Sequence, residues 1–144
     1  MPRCYFLTLC SGSSVDQQTN NVSLFNLVEQ INVPPGAPPP PSNLVPLELH
    51  AYFEFGQMEI GRDFDVRFVM VASTGLETSS DVFSHRSATP RLRTRTFGLP
   101  FPPVTGNYDL CVDTRYRGEE TFRRDALRWP VAIVEAGVRP QAVH

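Results

Sequence analysis

The sequence contains no lysine, so all 13 of its basic residues are arginines. It has no basic surplus either, because 15 acidic residues leave a formal net charge of -2. Proteins that bind nucleic acids usually carry excess positive charge, which releases counterions from the phosphates. The composition therefore predicts that nucleic acid is not a partner.

Long apolar runs are also missing. The longest apolar stretches have the length of a strand, far short of the ~20 residues that a membrane-spanning helix needs. The opening sequence MPRCYFLTLC is too short for a signal peptide and has no small-residue cleavage site. We therefore expect no membrane segment and no secretory leader.

Cysteine is scarce, with only Cys4, Cys10 and Cys111 in the chain. The number is odd, the spacing is wide and no CxxC motif occurs, so the sequence predicts no disulfide framework. No histidine or basic cluster flanks a cysteine in sequence, so a depressed thiol pKa is not expected. A reducing, cytoplasmic setting fits this pattern best.

Short alternating segments separated by turn signals make up most of the chain, and no amphipathic helix is apparent. The clearest is 44–55, in which Leu47, Leu49, Ala51, Phe53 and Phe55 share one face and polar residues the other, which predicts one core face and one solvated face. The other predicted strands are 4–10, 22–33, 64–71, 76–84, the segment from Arg91, the segment from Tyr108, and 126–136. In 22–33, period 2 puts Phe25, Leu27, Ile31 and Val33 on one face.

These segments predict an all-β fold, with a single antiparallel β-sandwich of seven to nine strands over residues 1–144. Long polar and proline-rich connections favour a Greek-key, immunoglobulin-like topology over a barrel. We expect 64–71 to be central, and Pro130 to place the last strand at an edge or a bulge. Residues 34–43 are interpreted as a stiff loop, with a polyproline ligand as the alternative, and 137–144 as a frayed tail.

The tripeptide Gly106-Asn107-Tyr108, followed by an alternating segment, resembles the start of the penultimate strand in immunoglobulin-like domains. The resemblance implies that Tyr108 is a corner residue whose hydroxyl bonds to the backbone. The cysteine of that family would stand at position 110, where this chain has Leu110, and Cys111 follows it. No disulfide between the sheets is implied.

Two longer lines, VSLFNLVEQI and GLPFPPVTGNYDLCVD, resemble a family of small uncharacterised bacterial proteins. The family likeness covers most of the chain and rests on hydrophobic, proline and glycine positions. It implies a β-sandwich of unknown function and supplies no catalytic residues.

Two groups of residues resemble reactive sites. Glu48, His50 and Glu54 share a predicted strand face and are acceptable metal ligands, but residues two apart on a strand stand about 7 Å apart. We interpret them as a solvated polar face and predict no metal and no cofactor.

The second group is Asp81, Ser84 and His85. Adjacent strand residues point to opposite faces, so Ser84 and His85 would diverge, and no G-x-S-x-G motif directs a serine. The sequence predicts no catalytic residues here.

Arg91, Arg93 and Arg95 project to one strand face, where guanidinium groups could bind carboxylates or phosphates. We therefore mark them as a possible interaction or anion face. The competing interpretation, which the sequence favours, pairs them with Asp109 and Asp113 on a neighbouring strand. With no reactive cluster, the sequence favours a non-enzymatic protein-interaction or assembly module, with a protein partner or a second copy. A small-ligand or carbohydrate-binding sandwich is the alternative.

Overall fold

The computed structural model describes residues 1–33, 44–100 and 104–135. These residues form ten strands and one 3-10 helix, Gln57–Glu59. The strands are β1 (Arg3–Val15), β2 (Val22–Leu27), β3 (Gln30–Val33), β4 (Leu44–Glu54), β5 (Phe64–Ala72), β6 (Glu77–Ser79), β7 (Phe83–His85), β8 (Arg91–Pro100), β9 (Gly106–Tyr116) and β10 (Arg123–Glu135). The loop predicted at 34–43 and the tail predicted at 137–144 lie outside the described residues.

The predicted all-β class is confirmed, and the strands form two sheets. The four-stranded sheet has the order β2-β1-β4-β8. The second sheet, which we call the six-stranded sheet, has the order β3-β10-β9-β5-β6, and β7 also pairs with β5. The predicted number of seven to nine strands is too low, because two segments read as single strands each form two.

The segment 22–33 is one of these, and it changes sheets at its middle. Asn26 has a positive φ of 57°, and the amide of Val28 donates to the carbonyl of Leu9. After this break the chain continues as β3 in the other sheet. Phe25 is therefore exposed while Ile31 is buried, so the predicted shared face is wrong.

The pairing of β3 with β10 is parallel, so the prediction of purely antiparallel sheets is also wrong. It follows from the crossover, because β3 reaches the second sheet running in the direction of β10. This strand covers β10 from Ala132 to Glu135 only. Pro130 lies before that stretch and need not donate to β3. The last strand is therefore not an edge strand over its whole length, contrary to the prediction. Its bulge lies between Arg124 and Arg128 and not at Pro130.

The core lies between the two sheets. The predicted core face of β4 is confirmed, with Ala51 and Phe53 fully buried. The predicted central position of the segment 64–71 is confirmed as well, since β5 pairs with β9 on one side and with β6 and β7 on the other. Apolar residues from both sheets complete the core, among them Leu7, Leu9, Val66, Phe68, Met70, Leu110, Val112, Val131 and Ile133.

The β1–β2 hairpin folds back over the outer face of the four-stranded sheet. Its turn is closed by Asp16, which accepts from the amides of Gln18 and Thr19, and Asn20 has a positive φ of 60°. Asn20, Asn21 and Val22 at the tip line a cavity together with residues of β1, β4 and β8. The hairpin thus covers part of a sheet face that would otherwise contact water.

The described part of the chain contains no helix that is long and apolar enough to cross a membrane.

Candidate functional site

The outer face of the four-stranded sheet carries a row of side chains set by strand register. Cys10 pairs with Glu48, and Glu48 pairs with Phe97 on the next strand. One step along, His50 lies between Thr8 and Arg95. Directly paired residues point to the same face, so these six side chains form one patch.

The prediction that this face is solvated is wrong at its centre. Glu48 is 8% exposed and His50 only 3% exposed, although both point away from the core. The cause is the folded-back hairpin, whose Ser13 hydroxyl donates to Oε1 of Glu48 at 2.6 Å. Cys10 and Thr8 are buried beneath the same cover. A buried polar cluster has formed where the sequence indicates a wet strand face.

Glu48 is the centre of this cluster. Its Oε1 atom accepts from Ser13, lies 3.1 Å from Nε2 of His50 and is 3.8 Å from Nη1 of Arg95. The Ser13 hydroxyl, then His50 and Arg95, hold the pKa of Glu48 below its ordinary value although burial acts in the opposite direction. Glu48 is therefore a carboxylate at neutral pH, and Nε2 of His50 is the donor in their hydrogen bond.

Cys10 joins this pair. Its sulfur, a ring nitrogen of His50 and a carboxylate oxygen of Glu48 all lie within 4.8 Å of one another. Burial, and next the charge of Glu48, raise the pKa of the Cys10 thiol. The sulfur is thus a protonated thiol at neutral pH, which makes it a poor nucleophile. We call Cys10, Glu48 and His50 the polar cluster.

Glu54, the third residue of the predicted metal group, does not belong to the polar cluster. It lies at the far end of β4, where its Oε1 accepts from Nε of Arg3 at 2.6 Å. Sequence reasoning missed Cys10 because the contact depends on the register of β1 against β4, which pairs Cys10 with a residue far away in the sequence. A signal was present, since Cys10 ends the predicted first strand, but nothing local fixes its partner.

A cavity of about 610 Å³ lies beside the polar cluster, between the hairpin tip and the sheet. Its lining combines aromatic, amide and guanidinium groups: Tyr5, Phe6, Tyr52, Asn20, Asn21, Val22, Arg91 and Arg93. The rings of Phe6 and Tyr52 pack with centroids 5.0 Å apart, and those of Tyr5 and Tyr52 lie 6.0 Å apart. Burial raises the pKa of Tyr52, so its hydroxyl keeps its proton and can donate.

The predicted pairing of Arg91, Arg93 and Arg95, which we call the arginine ladder, with Asp109 and Asp113 is wrong. Both aspartates lie on β9, in the other sheet, and the structure gives them other partners. Asp113 is 2% exposed and accepts from Nε of Arg67 at 3.0 Å and from Nε of Arg124 at 2.9 Å. Asp109 pairs with Arg128 at 3.3 Å. The ladder is on an outer edge strand that these carboxylates cannot reach.

The three ladder arginines differ in their surroundings. Arg95 reaches the polar cluster, where its Nη1 is 3.4 Å from Ser13 Oγ, and its guanidinium also lies over the ring of Phe97. Arg91 and Arg93 are exposed, and no carboxylate of the described residues forms an ion pair with either. These two guanidinium groups bring positive charge to the lining of the cavity, and Glu54, the strand partner of Arg91, is paired with Arg3 instead.

The group Asp81, Ser84 and His85 is not brought together. Ser84 donates to Oδ1 of Asp65 at 2.8 Å, and Asp65 is held in turn by Nε of Arg115 at 2.9 Å. His85 lies against Phe64, with ring centroids 5.8 Å apart, and burial lowers its pKa. The contacts of Ser84 and His85 are structural.

The corner that the sequence marks at Gly106 and Tyr108 is formed at the start of β9. Gly106 has a φ of 149°, and the hydroxyl of Tyr108 donates to the carbonyl of Val104 at 2.5 Å. Tyr108 is buried, and its contacts tie the preceding turn to the core. The role of Gly106 and Tyr108 is therefore structural, and the corner contains no reactive group.

The chain is thus an all-β, two-sheet protein with a covered polar cluster and an adjacent arginine-lined cavity. It matches no protein-family model and no curated protein. The geometry of these two features is therefore what indicates a function.

Proposed function

We propose that this protein is a non-catalytic binding module whose ligand is a small anion with an aromatic or other flat apolar part. The observation that carries the proposal is the cavity of about 610 Å³ that contains Arg91 and Arg93. Its volume lies within the range of small-molecule sites, roughly 300 to 1,000 Å³. This is the small-ligand alternative of the sequence analysis, narrowed to an anionic ligand.

The charge of the lining supports an anion. Elsewhere the described arginines mostly meet carboxylates, as Arg86 meets Asp63 at 2.7 Å. Arg91 and Arg93 lie two residues apart on one strand, on the same face, without such a partner among the described residues. Guanidinium groups bind carboxylates and phosphates through paired hydrogen bonds, so two of them form a suitable anchor.

The remaining lining supports an apolar body on the ligand. Tyr5 is 39% exposed, and Phe6 and Tyr52 lie beside it, so aromatic faces are available for stacking. The amides of Asn20 and Asn21 and the hydroxyl of Tyr52 add neutral hydrogen-bonding groups. A free phosphate would use the arginines alone, while an aromatic phosphate or carboxylate would use both parts.

Phenyl phosphate is a direct probe, with inorganic phosphate and phenol as its component parts. In amide NMR spectra of the full chain, we expect phenyl phosphate to shift signals of the hairpin tip and of Arg91–Arg93. The Arg93→Gln variant should bind at least about tenfold more weakly, a loss of about 1.4 kcal/mol. The matched control is Arg123→Gln, an exposed arginine without an ion pair in the described chain, and it should bind as the wild type does.

The proposal is wrong if phenyl phosphate shifts no signals at the cavity, or if Arg93→Gln and Arg123→Gln weaken binding equally. Equal affinity for inorganic phosphate and phenyl phosphate would contradict the aromatic part of the proposal only.

A second candidate function, the protein-interaction or assembly module, is favoured by exposed apolar side chains near the same site. Phe25, Leu27 and Phe97 are 52%, 54% and 64% exposed. Strand register places Leu27 and Phe97 at the two ends of the row through Cys10 and Glu48. Apolar groups gathered on one face are typical of interaction surfaces.

Light scattering after size exclusion tests this second function as self-association. We expect the wild-type mass to rise with protein concentration and the Phe97→Ser variant to remain monomeric. Leu76→Ser is the control, since Leu76 is similarly exposed, at 58%, in the turn that precedes β6. A wild-type monomer at all concentrations would contradict self-association.

For the fold, we propose a variant of the immunoglobulin-like sandwich. The supporting features are the sheet changes from β4 to β5 and from β8 to β9, and the Tyr108 corner at the start of β9, the strand that lies between β5 and β10. Membership of the family of small bacterial proteins that the sequence resembles also stays a proposal. The three cysteines are free and buried, which supports the proposed reducing, cytoplasmic setting.

A further inference from the structure

We propose that Cys10, Glu48 and His50 bind one divalent transition-metal ion, with zinc as the preferred metal and water in the fourth position. The proposal concerns the polar cluster and does not depend on the function of the neighbouring cavity. It reverses the sequence-based expectation of no metal, which considered Glu54 instead of Cys10.

The geometry of the donor atoms supports a shared ion. Sulfur, nitrogen and oxygen ligands around tetrahedral zinc lie about 3.3 to 3.8 Å from one another, given metal–ligand distances of about 2.0 to 2.3 Å. The three donor atoms of the polar cluster already lie within 4.8 Å of one another. Small side-chain rotations close the difference. The backbone need not move, because Cys10 and Glu48 are directly paired and His50 is two residues along the same strand.

The donor set matches a borderline-soft cation. Thiolate and imidazole ligands select zinc and related transition metals over magnesium or calcium, and a carboxylate is accepted as a further ligand. A fourth position left to water is typical of zinc sites with three protein ligands. Two anionic ligands neutralise the charge of a divalent ion, so the complex adds no net charge to a buried site.

Proton balance is simple. Metal binding breaks the S–H bond of Cys10, forms the S–metal bond and releases one proton to the solvent. His50 binds through one ring nitrogen and keeps a proton on the other, so the bound imidazole carries a single N–H. Glu48 is ionised beforehand, so it releases none.

Surrounding groups hold the cluster in place. Ser13 donates to Oε1 of Glu48 at 2.6 Å and orients the carboxylate. Among the described residues, Arg95 is the one arginine in an ion pair with Glu48, at 3.8 Å, and its side chain is 49% exposed, so it can turn towards solvent when an ion binds. Such supporting hydrogen bonds commonly change metal affinity by about 10- to 100-fold when they are removed.

Cobalt(II) is the probe, because tetrahedral cobalt with a thiolate ligand has an intense sulfur-to-metal absorption in the near ultraviolet. We expect the reduced full chain to develop this absorption at one cobalt per chain, to lose it when zinc is added, and to release about one proton per metal. If the wild-type chain gives no such band, or takes up no stoichiometric zinc in equilibrium dialysis, the proposal is wrong.

Variants assign the ligands. Cys10→Ser should abolish the absorption, and Ser13→Ala should weaken cobalt binding about tenfold while preserving the band. The matched control is Cys111→Ser, which removes another buried thiol, on β9 in the six-stranded sheet. Persistence of the band in Cys10→Ser, or its loss in Cys111→Ser, would overturn the assignment. Should Cys10→Ser not fold by circular dichroism, Glu48→Gln replaces it, and an unchanged cobalt affinity in Glu48→Gln overturns the proposal equally.

Discussion

At the scale of single residues, Tyr108 illustrates how one hydroxyl fixes a turn. Its ring is part of the core, and its hydroxyl donates to the carbonyl of Val104 at 2.5 Å. Removing the hydroxyl leaves the ring in place but leaves a carbonyl without this donor. We expect Tyr108→Phe to lower the free energy of unfolding by about 1 kcal/mol, measured by urea denaturation.

The control for this prediction is Tyr5→Phe. Tyr5 is 39% exposed, and its hydroxyl makes no hydrogen bond to the described residues. Its stability should match the wild type within about 0.5 kcal/mol. Tyr108→Phe with wild-type stability would show that the hydroxyl does not stabilise the corner.

Asp113 shows what residue-level reasoning can and cannot supply. The sequence identifies an outward-facing aspartate on one strand and a row of arginines on another, and it predicts that they pair. It does not identify Arg67 and Arg124 as the partners, because these lie on β5 and β10 and meet Asp113 only when both strands pair with β9. The local pattern predicts that Asp113 pairs with arginine. The order of the strands determines which arginines it meets.

At the scale of elements, β9 is the most enclosed strand of the six-stranded sheet. It pairs with β10 on one side and with β5 along nine residue pairs on the other. Its residues Leu110 and Val112 are fully buried. By contrast, β6 and β7 are three residues each and, within the described part of the chain, pair only with β5.

We therefore expect the rates of amide hydrogen exchange to differ between two parts of the six-stranded sheet. Amides from Leu110 to Val112 should exchange only through global unfolding, and those of Glu77–Ser79 through local opening that is several orders of magnitude more frequent. Exchange resolved by NMR at several denaturant concentrations measures both. Similar protection in the two strands would contradict this order of stability.

The edges of both sheets are protected by different means. β8 is an edge of the four-stranded sheet and carries the like charges of Arg91, Arg93 and Arg95. The edges of the six-stranded sheet are the short strands β3 and β6. Charge and short length both discourage pairing with another chain.

At the scale of the whole molecule, the sequence predicted the class of fold. It predicted the topology of the two sheets only in part. Alternation and turn residues predicted β4, β5 and β9 with their core faces, because these signals are local. The crossover inside 22–33 was missed, since a single apolar run gives no sign that half of it belongs to the other sheet. The parallel pairing of β3 with β10 follows from that crossover and was missed with it.

The candidate site was predictable to a smaller extent. The sequence marked Arg91 and Arg93, and it marked Glu48 and His50, each within one strand. It did not predict that the β1–β2 hairpin folds back and joins them with Cys10, Tyr52 and Asn20, because that depends on how a long strand bends. The cavity on this face forms because segments that are distant in the sequence pack against one another.

The only tryptophan, Trp129, gives this crossover an optical readout. Its indole Nε1 donates to the carbonyl of Val28 at 2.8 Å, and the amide of Val28 donates to Leu9 in the other sheet. The half-buried indole therefore reports on the connecting segment that leads from the hairpin into β3. Fluorescence of the native protein can thus follow events at the hairpin from the opposite sheet, without any attached dye.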